Sequence, residues 1–398
     1  MAETYSNSNN AINNKDNNKE KKLNISLKVH NNNNQNFNYQ DEKVLSYNTT
    51  VKKETEFYTI DKDNKIVIYN EQKSIIKYDC KILFRIRKNK DGDFEIISPT
   101  EKISYSDINL INQLDQKMWL VMKSDDKKGK FKKENEEYYL LKNDIIRLAD
   151  KKYAIIEINI KNKSNSLENK NKINETNQLF GPVLEKEIDE EDICVKDGEK
   201  CIKCEKSNSS EDNPILKLCN CPKHYTCLKE EIKKNIKINK NLKKTVTSYK
   251  CEKYNCSDCS KPYPFQFIYK GNEFELIDIE KPSKDEDYII LESLTFIKEE
   301  NNIRNNIKNI FVVKLMKEKL TIGRNVSNIE KDINDEEVTI SRNHAILKFN
   351  KENGNLTIIN DQGRYGVLVL IKDNVKLTDN EKIYFQVGKV YVEAEVKG

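Results

Sequence analysis

The chain has 398 residues, of which 36% are hydrophobic and 34% are charged, which is lean for one compact globule. Its 70 Lys and Arg nearly balance its 65 Asp and Glu, leaving a net charge of +5, so no nucleic-acid partner is expected. The apolar runs are far shorter than the ~20 residues of a membrane helix. The first residues also lack the apolar core of a signal peptide. These features predict an intracellular protein, cytoplasmic or nuclear, with two or three domains and no membrane partner.

The first half of the chain changes character near residue 50. Residues 1–45 are rich in Asn, Lys and Ser with few apolar residues, which predicts a disordered tail. Residues 55–160 contain short segments rich in β-branched and aromatic residues, which predict a β-sandwich. Its predicted strands lie at 65–69, 81–87, 94–97, 118–122 and 152–160. Residues 161–192 are polar and end on an acidic run, which predicts a linker.

A cysteine-rich segment carries the strongest local chemistry. Nine of the ten cysteines lie between residues 194 and 259, so a random scatter of free thiols is disfavoured. A redox pair is also disfavoured, because no thioredoxin-like βαβ pattern surrounds these cysteines. Structural zinc takes four Cys or His ligands, so eight spaced ligands predict two zinc ions. The candidate ligands are Cys201, Cys204, Cys219, Cys221, His224, Cys227, Cys256 and Cys259. Cys251 is left outside this set of eight and could either replace Cys256 as a ligand or be a thiol without a metal.

The spacing of these ligands over residues 193–270 resembles the RING-CH zinc finger, a variant RING. The family's cross-brace implies one site of Cys201, Cys204, His224 and Cys227, and a second site of Cys219, Cys221, Cys256 and Cys259. Residues 226–240 are predicted to be helical, with Leu228, Ile232 and Ile236 spaced by four. Lys203 stands where RING-type ubiquitin ligases place an apolar residue that contacts the conjugating enzyme. The tryptophan that often follows the sixth ligand is also missing.

The C-terminal segment, 286–398, is predicted to form a second β-sandwich. Short strands separated by turns are predicted at 311–315, 320–322, 344–349, 356–359, 367–371, 383–387 and 390–396. In such a fold the functional residues lie in loops at one end, held in place by the sheets.

Two loops of this segment carry residues suited to binding phosphate. Gly323-Arg324 ends one predicted strand. Ser341 and Arg342 lie three and two residues before His344, which opens another strand. The planar guanidinium of an arginine binds phosphate through paired, charge-assisted hydrogen bonds, and a serine hydroxyl can donate one more. The pattern therefore indicates an anion-binding loop pair.

Gly-Arg and Ser-x-x-His on neighbouring loops resemble the forkhead-associated (FHA) domain, a phosphothreonine reader. The resemblance implies that Arg324 and Ser341 bind the phosphate, that Arg342 supports it or grips the peptide backbone, and that His344 joins the loops. Tyr365 and Val367 replace an Asn and a Thr that normally present the peptide. The zinc module together with these motifs looks like ciliate-type proteins that join a RING-CH finger to an FHA domain. Residues 143–148 resemble the closing strands of a second, degenerate FHA domain.

The sequence thus predicts a mainly β protein, with two β-sandwiches flanking a small RING-like α+β zinc module. The first sandwich is degenerate FHA-like and the second is FHA-like. The predicted function is a phosphothreonine-dependent adaptor whose partner is a phosphothreonine-containing protein. One alternative is a RING-type ubiquitin ligase, an enzyme that would also bind a ubiquitin-conjugating enzyme. The other is a zinc-stabilised scaffold without phosphate binding.

Overall fold

A computed structural model describes the chain at residues 21–30, 44–60, 65–69, 80–90, 92–98, 114, 117–122, 137–161, 185–187, 198–261, 263, 266–270, 272–294, 308–325, 330–372 and 374–397. The predicted tail at 1–20 and 31–43 lies outside these residues, as do Cys194 and the predicted linker at 162–184 and 188–192. Within the described residues, no helix is long and apolar enough to cross a membrane.

The protein is mainly β, as predicted, with antiparallel sheets and one short helix in the described part. The N-terminal half contributes β1 (Lys22–His30), β2 (Val44–Val51), β3 (Thr55–Ile60), β4 (Lys65–Tyr69), β5 (Cys80–Lys88), β6 (Phe94–Ile97), β7 (Met118–Met122), β8 (Tyr138–Tyr139), β9 (Ile145–Leu148) and β10 (Lys151–Asn159). The middle contributes β11 (Glu185–Glu187), β12 (Ile215–Leu216), β13 (Lys223–His224), α1 (Tyr225–Lys233), β14 (Ile236–Lys240), β15 (Val246–Cys251), β16 (Gln266–Tyr269) and β17 (Asn272–Glu275). The C-terminal part contributes β18 (Tyr288–Ser293), β19 (Lys308–Lys314), β20 (Lys319–Gly323), β21 (Ile333–Asn334), β22 (Ala345–Asn350), β23 (Asn355–Asn360), β24 (Val367–Leu370), β25 (Val375–Leu377), β26 (Lys382–Val387) and β27 (Val390–Lys397).

One twelve-stranded sheet runs through the molecule in the order β14-β15-β19-β18-β10-β9-β24-β7-β26-β27-β1-β2. The C-terminal sandwich consists of the five-stranded sheet β21-β20-β22-β23-β8 and strands β19, β18, β10, β9 and β24 of the long sheet. The N-terminal sandwich consists of the five-stranded sheet β25-β6-β5-β3-β4 and strands β7, β26, β27, β1 and β2 of the long sheet. Across the N-terminal sandwich, the rings of Phe84 and Phe385 meet edge to face with centroids 5.1 Å apart. Both sandwiches share one cluster of buried apolar residues.

The two sandwiches exchange strands. The β9–β10 hairpin lies in the C-terminal sandwich between β18 and β24, where Tyr153 pairs with Ser293 and Leu148 with Val367. The β26–β27 hairpin lies in the N-terminal sandwich between β7 and β1, where β27 pairs with β1 over eight positions. In the smaller sheets, β8 joins β23 and β25 joins β6. Segments 55–160 and 286–398 therefore each supply strands to both sandwiches. The sequence did not predict this exchange, because strand propensity identifies a strand but not its distant partner.

The prediction of a disordered tail over residues 1–45 is wrong for residues 22–30. This segment is β1, in which Leu23, Ile25, Leu27 and Val29 are at most 2% exposed. Their spacing by two places them on one face of the strand. The surrounding Asn and Lys residues obscured this alternation in the sequence. Glu185–Glu187 likewise forms β11 inside the predicted linker and pairs with β16.

The middle segment is built into the long sheet. The predicted helix over 226–240 is correct only for its first part, since α1 ends at Lys233. Leu228 and Ile232 are buried, but Ile236 begins β14. The β14–β15 hairpin pairs with β19 over six positions and so extends the sheet of the C-terminal sandwich. Sheet pairing has overridden helix propensity here.

Candidate metal centres and anion-binding loops

The first metal-ligand group lies where the β12–β13 hairpin meets the start of α1. The ligand atoms of Cys201, Cys204, His224 and Cys227 all lie within 4.8 Å of one another. His224 ends β13 and Cys227 lies in the first turn of α1, so the junction between strand and helix brings them together. The backbone N–H of His224 also points at Sγ of Cys201, 3.4 Å away.

The ring of His224 is oriented for a metal. Its Nε2 lies 2.6 Å from the carbonyl oxygen of Asn208, an acceptor, so Nε2 carries the hydrogen and donates it. This leaves the lone pair of Nδ1 facing Sγ of Cys204 at 3.2 Å. Histidines that bind metals use the second ring nitrogen in this way, to fix the tautomer and the ring orientation. The His224 environment therefore fits a metal ligand.

The second group brings together Cys219, Cys221, Cys256 and Cys259, again with sulfur atoms within 4.8 Å of one another. The chain turns tightly around this group, since the N–H of Ser260 bonds to the carbonyl oxygen of Cys256. Cys251 is not a member of either group. It is fully buried in β15, where burial raises the pKa of its thiol to about 11.

A buried lysine lies against the second group. The side chain of Lys223 is 1% exposed, and its Nζ lies 3.4 Å from Sγ of Cys256. Glu231 and Asp258 flank the same ammonium at 2.6 and 2.7 Å. Burial disfavours the charged lysine, but these two carboxylates hold its pKa above the usual value. A positive charge therefore lies beside the four sulfur atoms, a feature that no motif in the sequence indicated.

The thiols of the first group differ in pKa. Burial opposes ionisation of Cys201, but N–H groups of His224, Cys204 and Lys203 outweigh burial and lower its pKa to about 6. Burial and the neighbouring sulfurs of Cys201 and Cys204 raise the pKa of Cys227 to about 12. Crowded sulfur atoms thus oppose each other's ionisation.

The thiols of the second group also differ in pKa. Burial opposes ionisation of Cys256, but the Tyr263 hydroxyl and N–H groups of Cys259 and Asp258 lower its pKa to about 7. Burial and the sulfurs of Cys259 and Cys256 raise the pKa of Cys221 to about 11. A divalent cation would remove this mutual repulsion and bind all four thiolates, so both groups fit a metal ion.

The loops that carry Arg324 and Ser341 meet at a glycine. Gly323 ends β20, and a Cβ atom at this position would lie 2.1 Å from the carbonyl oxygen of Arg342, so any other residue would push the two loops apart. Because the loops approach so closely, the N–H of Arg324 donates to the carbonyl oxygen of Ser341 at 3.2 Å. The structure thus brings Arg324 and Ser341 together on neighbouring loops.

His344 fastens these loops to a third loop. Its Nδ1 accepts a hydrogen bond from the N–H of Ser341 at 3.0 Å, and its Nε2 donates to the carbonyl oxygen of Gly366 at 2.9 Å. Its own N–H donates to the carbonyl oxygen of Ile322. The ring is fully buried, and burial lowers its pKa, so the neutral form persists. His344 therefore holds the loops in place and is not exposed to a ligand.

The third loop, between β23 and β24, completes the site. The N–H of Arg364 donates to Oγ of Ser341 at 3.1 Å, so the hydroxyl is oriented with its hydrogen directed elsewhere. Arg342 and Arg364 are both exposed, and Arg324 is partly exposed. The Arg364 guanidinium carbon lies 5.5 Å from the centre of the Tyr365 ring. Sequence reasoning missed Arg364, because only the folded loops place it beside Ser341.

The β14–β15 hairpin of the cysteine-rich segment touches the first of these loops. At the hairpin turn, the N–H of Leu242 donates to the Glu330 carboxylate at 3.2 Å. The side-chain amide of Asn241 donates to the carbonyl oxygen of Asp332 at 3.5 Å. Residues 330–332 belong to the connection that begins at Arg324, so the segment that carries the two Cys/His groups braces this loop.

Comparison with known proteins identifies one part of the chain. No significant similarity to a curated protein or to a solved structure was found. Residues 320–390, which include Arg324, Ser341 and His344, match the model of the FHA domain family. The chain therefore contains an FHA domain.

Proposed function

We propose that this protein is a phosphothreonine-dependent protein-binding adaptor. The observation that carries the proposal is the fixed approach of Arg324 to Ser341, through the 3.2 Å backbone hydrogen bond and the buried His344. A phosphate held there would receive charge-assisted bonds from the guanidinium and a bond from the Ser341 hydroxyl. The partner is a protein that carries phosphothreonine.

Further arginines support the same proposal. Arg342 and Arg364 are exposed on the two loops that flank Ser341 and can reach an anion or a peptide backbone beside it. Tyr365 occupies the position of the family's peptide-contacting Asn. Its flat ring offers a packing surface for a peptide side chain in place of an amide hydrogen bond.

The two metal groups are proposed to hold zinc, with two ions per chain. Thiolate and imidazole ligands in sets of four suit zinc, and a site with four protein ligands leaves no open position for catalysis. Zinc would stabilise the segment that carries α1 and the β14–β15 hairpin. The RING-CH resemblance is consistent with the ligand sets and is part of this proposal.

The adaptor role is preferred to ubiquitin ligation. Lys203 occupies the position where a ligase presents an apolar contact, and its Nζ is engaged by the carbonyl oxygen of Cys227 at 2.7 Å. Release of ubiquitin from a charged conjugating enzyme, measured with and without the full-length protein, separates the two functions. Acceleration of that release would favour the ligase.

The adaptor proposal is tested by selection from a degenerate phosphothreonine peptide library with the full-length chain. The wild-type protein should enrich a sequence motif from the phosphothreonine pool and nothing from the unphosphorylated pool. Arg324→Ala should lose the enrichment, whereas Arg85→Ala, in the N-terminal sandwich, should retain it. Equal enrichment from both pools would overturn the proposal.

A further inference from the structure

The added β14–β15 hairpin creates a cleft beside the anion-binding loops. Residues that pair across strands share a face, so Lys237 and Lys250 lie on the same side of the sheet as Asn239 and Ser248. That side is continuous with Val246, which belongs to the sandwich core. The opposing sheet ends at β21, so it does not cover this face of the hairpin.

The space between this face and the loop after β21 measures about 770 Å³, and we call it the hairpin cleft. Its floor is formed by β15 and β19, which contribute Ser248, Asn309 and Phe311. Its far wall is formed by Asn325 and residues 330–332 and 334–338. Asn325 directly follows Arg324, and consecutive Cα atoms are ~3.8 Å apart, so the wall of the cleft begins one residue from the arginine proposed to bind phosphate.

The cleft offers chemistry suited to an extended peptide. Val338 lines it and is 73% exposed, which is unusual for a large aliphatic side chain. On the floor of the cleft, the side-chain oxygen of Asn309 has no hydrogen-bond partner in the described part of the chain. Buried acceptors normally find a donor, and a peptide N–H is such a donor.

Charge does not select the occupant of the hairpin cleft. Five lysines and six acidic residues line it, so the opposite charges nearly cancel. Several are already paired, such as Lys237 with Glu252 at 2.7 Å and Lys250 with Glu336 at 3.7 Å. Recognition here must therefore depend on backbone hydrogen bonds and on the aliphatic contact at Val338.

We propose that the hairpin cleft binds an extended segment of the phosphothreonine partner, next to the phosphothreonine, with an aliphatic side chain against Val338. This inference rests on the proposed function. The β14–β15 hairpin is then part of the binding surface, and it adds sequence selectivity beyond the phosphate. The partner reaches from the FHA loops onto the metal-binding segment.

The test uses full-length protein and phosphothreonine peptides selected from the degenerate pool. Long peptides carry about eight residues on each side of the phosphothreonine, and trimmed ones about two. Because an extended chain spans ~3.3 Å per residue, only the long peptides extend far enough from the phosphothreonine to lie along the cleft. Wild-type protein should bind the long peptides about tenfold more tightly than the trimmed ones. Val338→Glu should abolish that advantage and leave the affinity for trimmed peptides unchanged.

Two variants serve as matched controls, because each replaces an exposed apolar residue outside the cleft. Met316 is 62% exposed in the β19–β20 turn, and Ile238 is 57% exposed on the opposite face of β14. Met316→Glu and Ile238→Glu should both behave as wild type. Equal affinity for long and trimmed peptides, or an unchanged advantage in Val338→Glu, would overturn the proposal. If neither the long nor the trimmed phosphothreonine peptides bind, the proposed function fails and this inference fails with it.

Discussion

Nδ1 of His344 accepts the backbone N–H of Ser341 at 3.0 Å, while its Nε2 donates to the carbonyl oxygen of Gly366. One buried imidazole therefore fixes two loops of the FHA domain relative to each other. The serine proposed to bind phosphate is held in place by a residue that does not itself reach the ligand.

His344→Ala should destabilise the fold and weaken phosphopeptide binding together. The substitution removes both ring hydrogen bonds and leaves the partly buried N–H of Ser341 and the buried carbonyl oxygen of Gly366 without them, at a cost of about 1–3 kcal/mol for the buried group. Urea unfolding of the full-length protein measures the stability, and titration with a selected peptide measures the affinity. An unchanged free energy of unfolding would contradict the structural role of His344.

Stability should fall in mild acid through the same residue. Burial lowers the pKa of His344 in the fold below its ordinary value of 6.5, so the unfolded chain binds more protons in this range. The stabilisation is therefore fully present above pH 6.5 and is lost as the pH falls through the lowered pKa. Comparing the unfolding of wild type with that of His344→Asn from pH 7.5 to 5.5 isolates this contribution. Parallel pH profiles for the two proteins would contradict it.

Replacing Cys256 and replacing Cys251, two buried cysteines close in sequence, should have different effects on the amount of bound zinc. Cys256→Ser removes a member of the second group, so bound zinc should fall from two ions to about one per chain. Cys251→Ser is the matched control, since Cys251 lies outside both groups, and it should retain both ions. Elemental analysis of the purified proteins provides the count.

Metal loss should also weaken phosphopeptide binding. The β14–β15 hairpin contacts the loop after Arg324 through Leu242 and Glu330, so unfolding of the metal-binding segment releases a brace on that loop. Peptide affinity in Cys256→Ser should fall below that in Cys251→Ser. Equal affinities would show that the two parts of the chain are not coupled.

Much of the secondary structure could be predicted from local pattern. The strands Phe94–Ile97 and Met118–Met122 have the bounds that their apolar, β-branched and aromatic residues indicate. β1 was missed because Asn and Lys surround its four alternating apolar residues. The spacing of the cysteines and the Gly-Arg and Ser-x-x-His motifs identified residues that the structure brings together.

The exchange of strands could not be predicted, because it depends on pairing between residues more than a hundred positions apart. Nothing local in Ile145–Leu148 indicates that it lies beside Val367–Leu370. The same limit applies to Arg364, whose N–H reaches Ser341 only after the loops are assembled. Local pattern determines which residues form strands, and the global fold determines which strands meet.

Because the two sandwiches exchange strands, we predict that the fragment 286–398 does not fold by itself. It lacks β8, β9 and β10, and the last two lie between β18 and β24 in the middle of its sheet. Buried backbone groups along both neighbouring strands would lose their partners. A dispersed amide spectrum or phosphopeptide binding by this fragment would contradict the prediction. The full-length chain should instead unfold in one cooperative transition that includes both sandwiches.

The central claim is that Arg324 binds the phosphate of a phosphothreonine partner, and a double-mutant cycle tests it most directly. Titration calorimetry compares wild type and Arg324→Ala against one selected peptide, with and without its phosphate. A hydrogen-bonded charge pair predicts a coupling energy of at least about 1.5 kcal/mol between the guanidinium and the phosphate. A coupling energy near zero, with the phosphorylated and unphosphorylated peptides bound equally, would contradict the account.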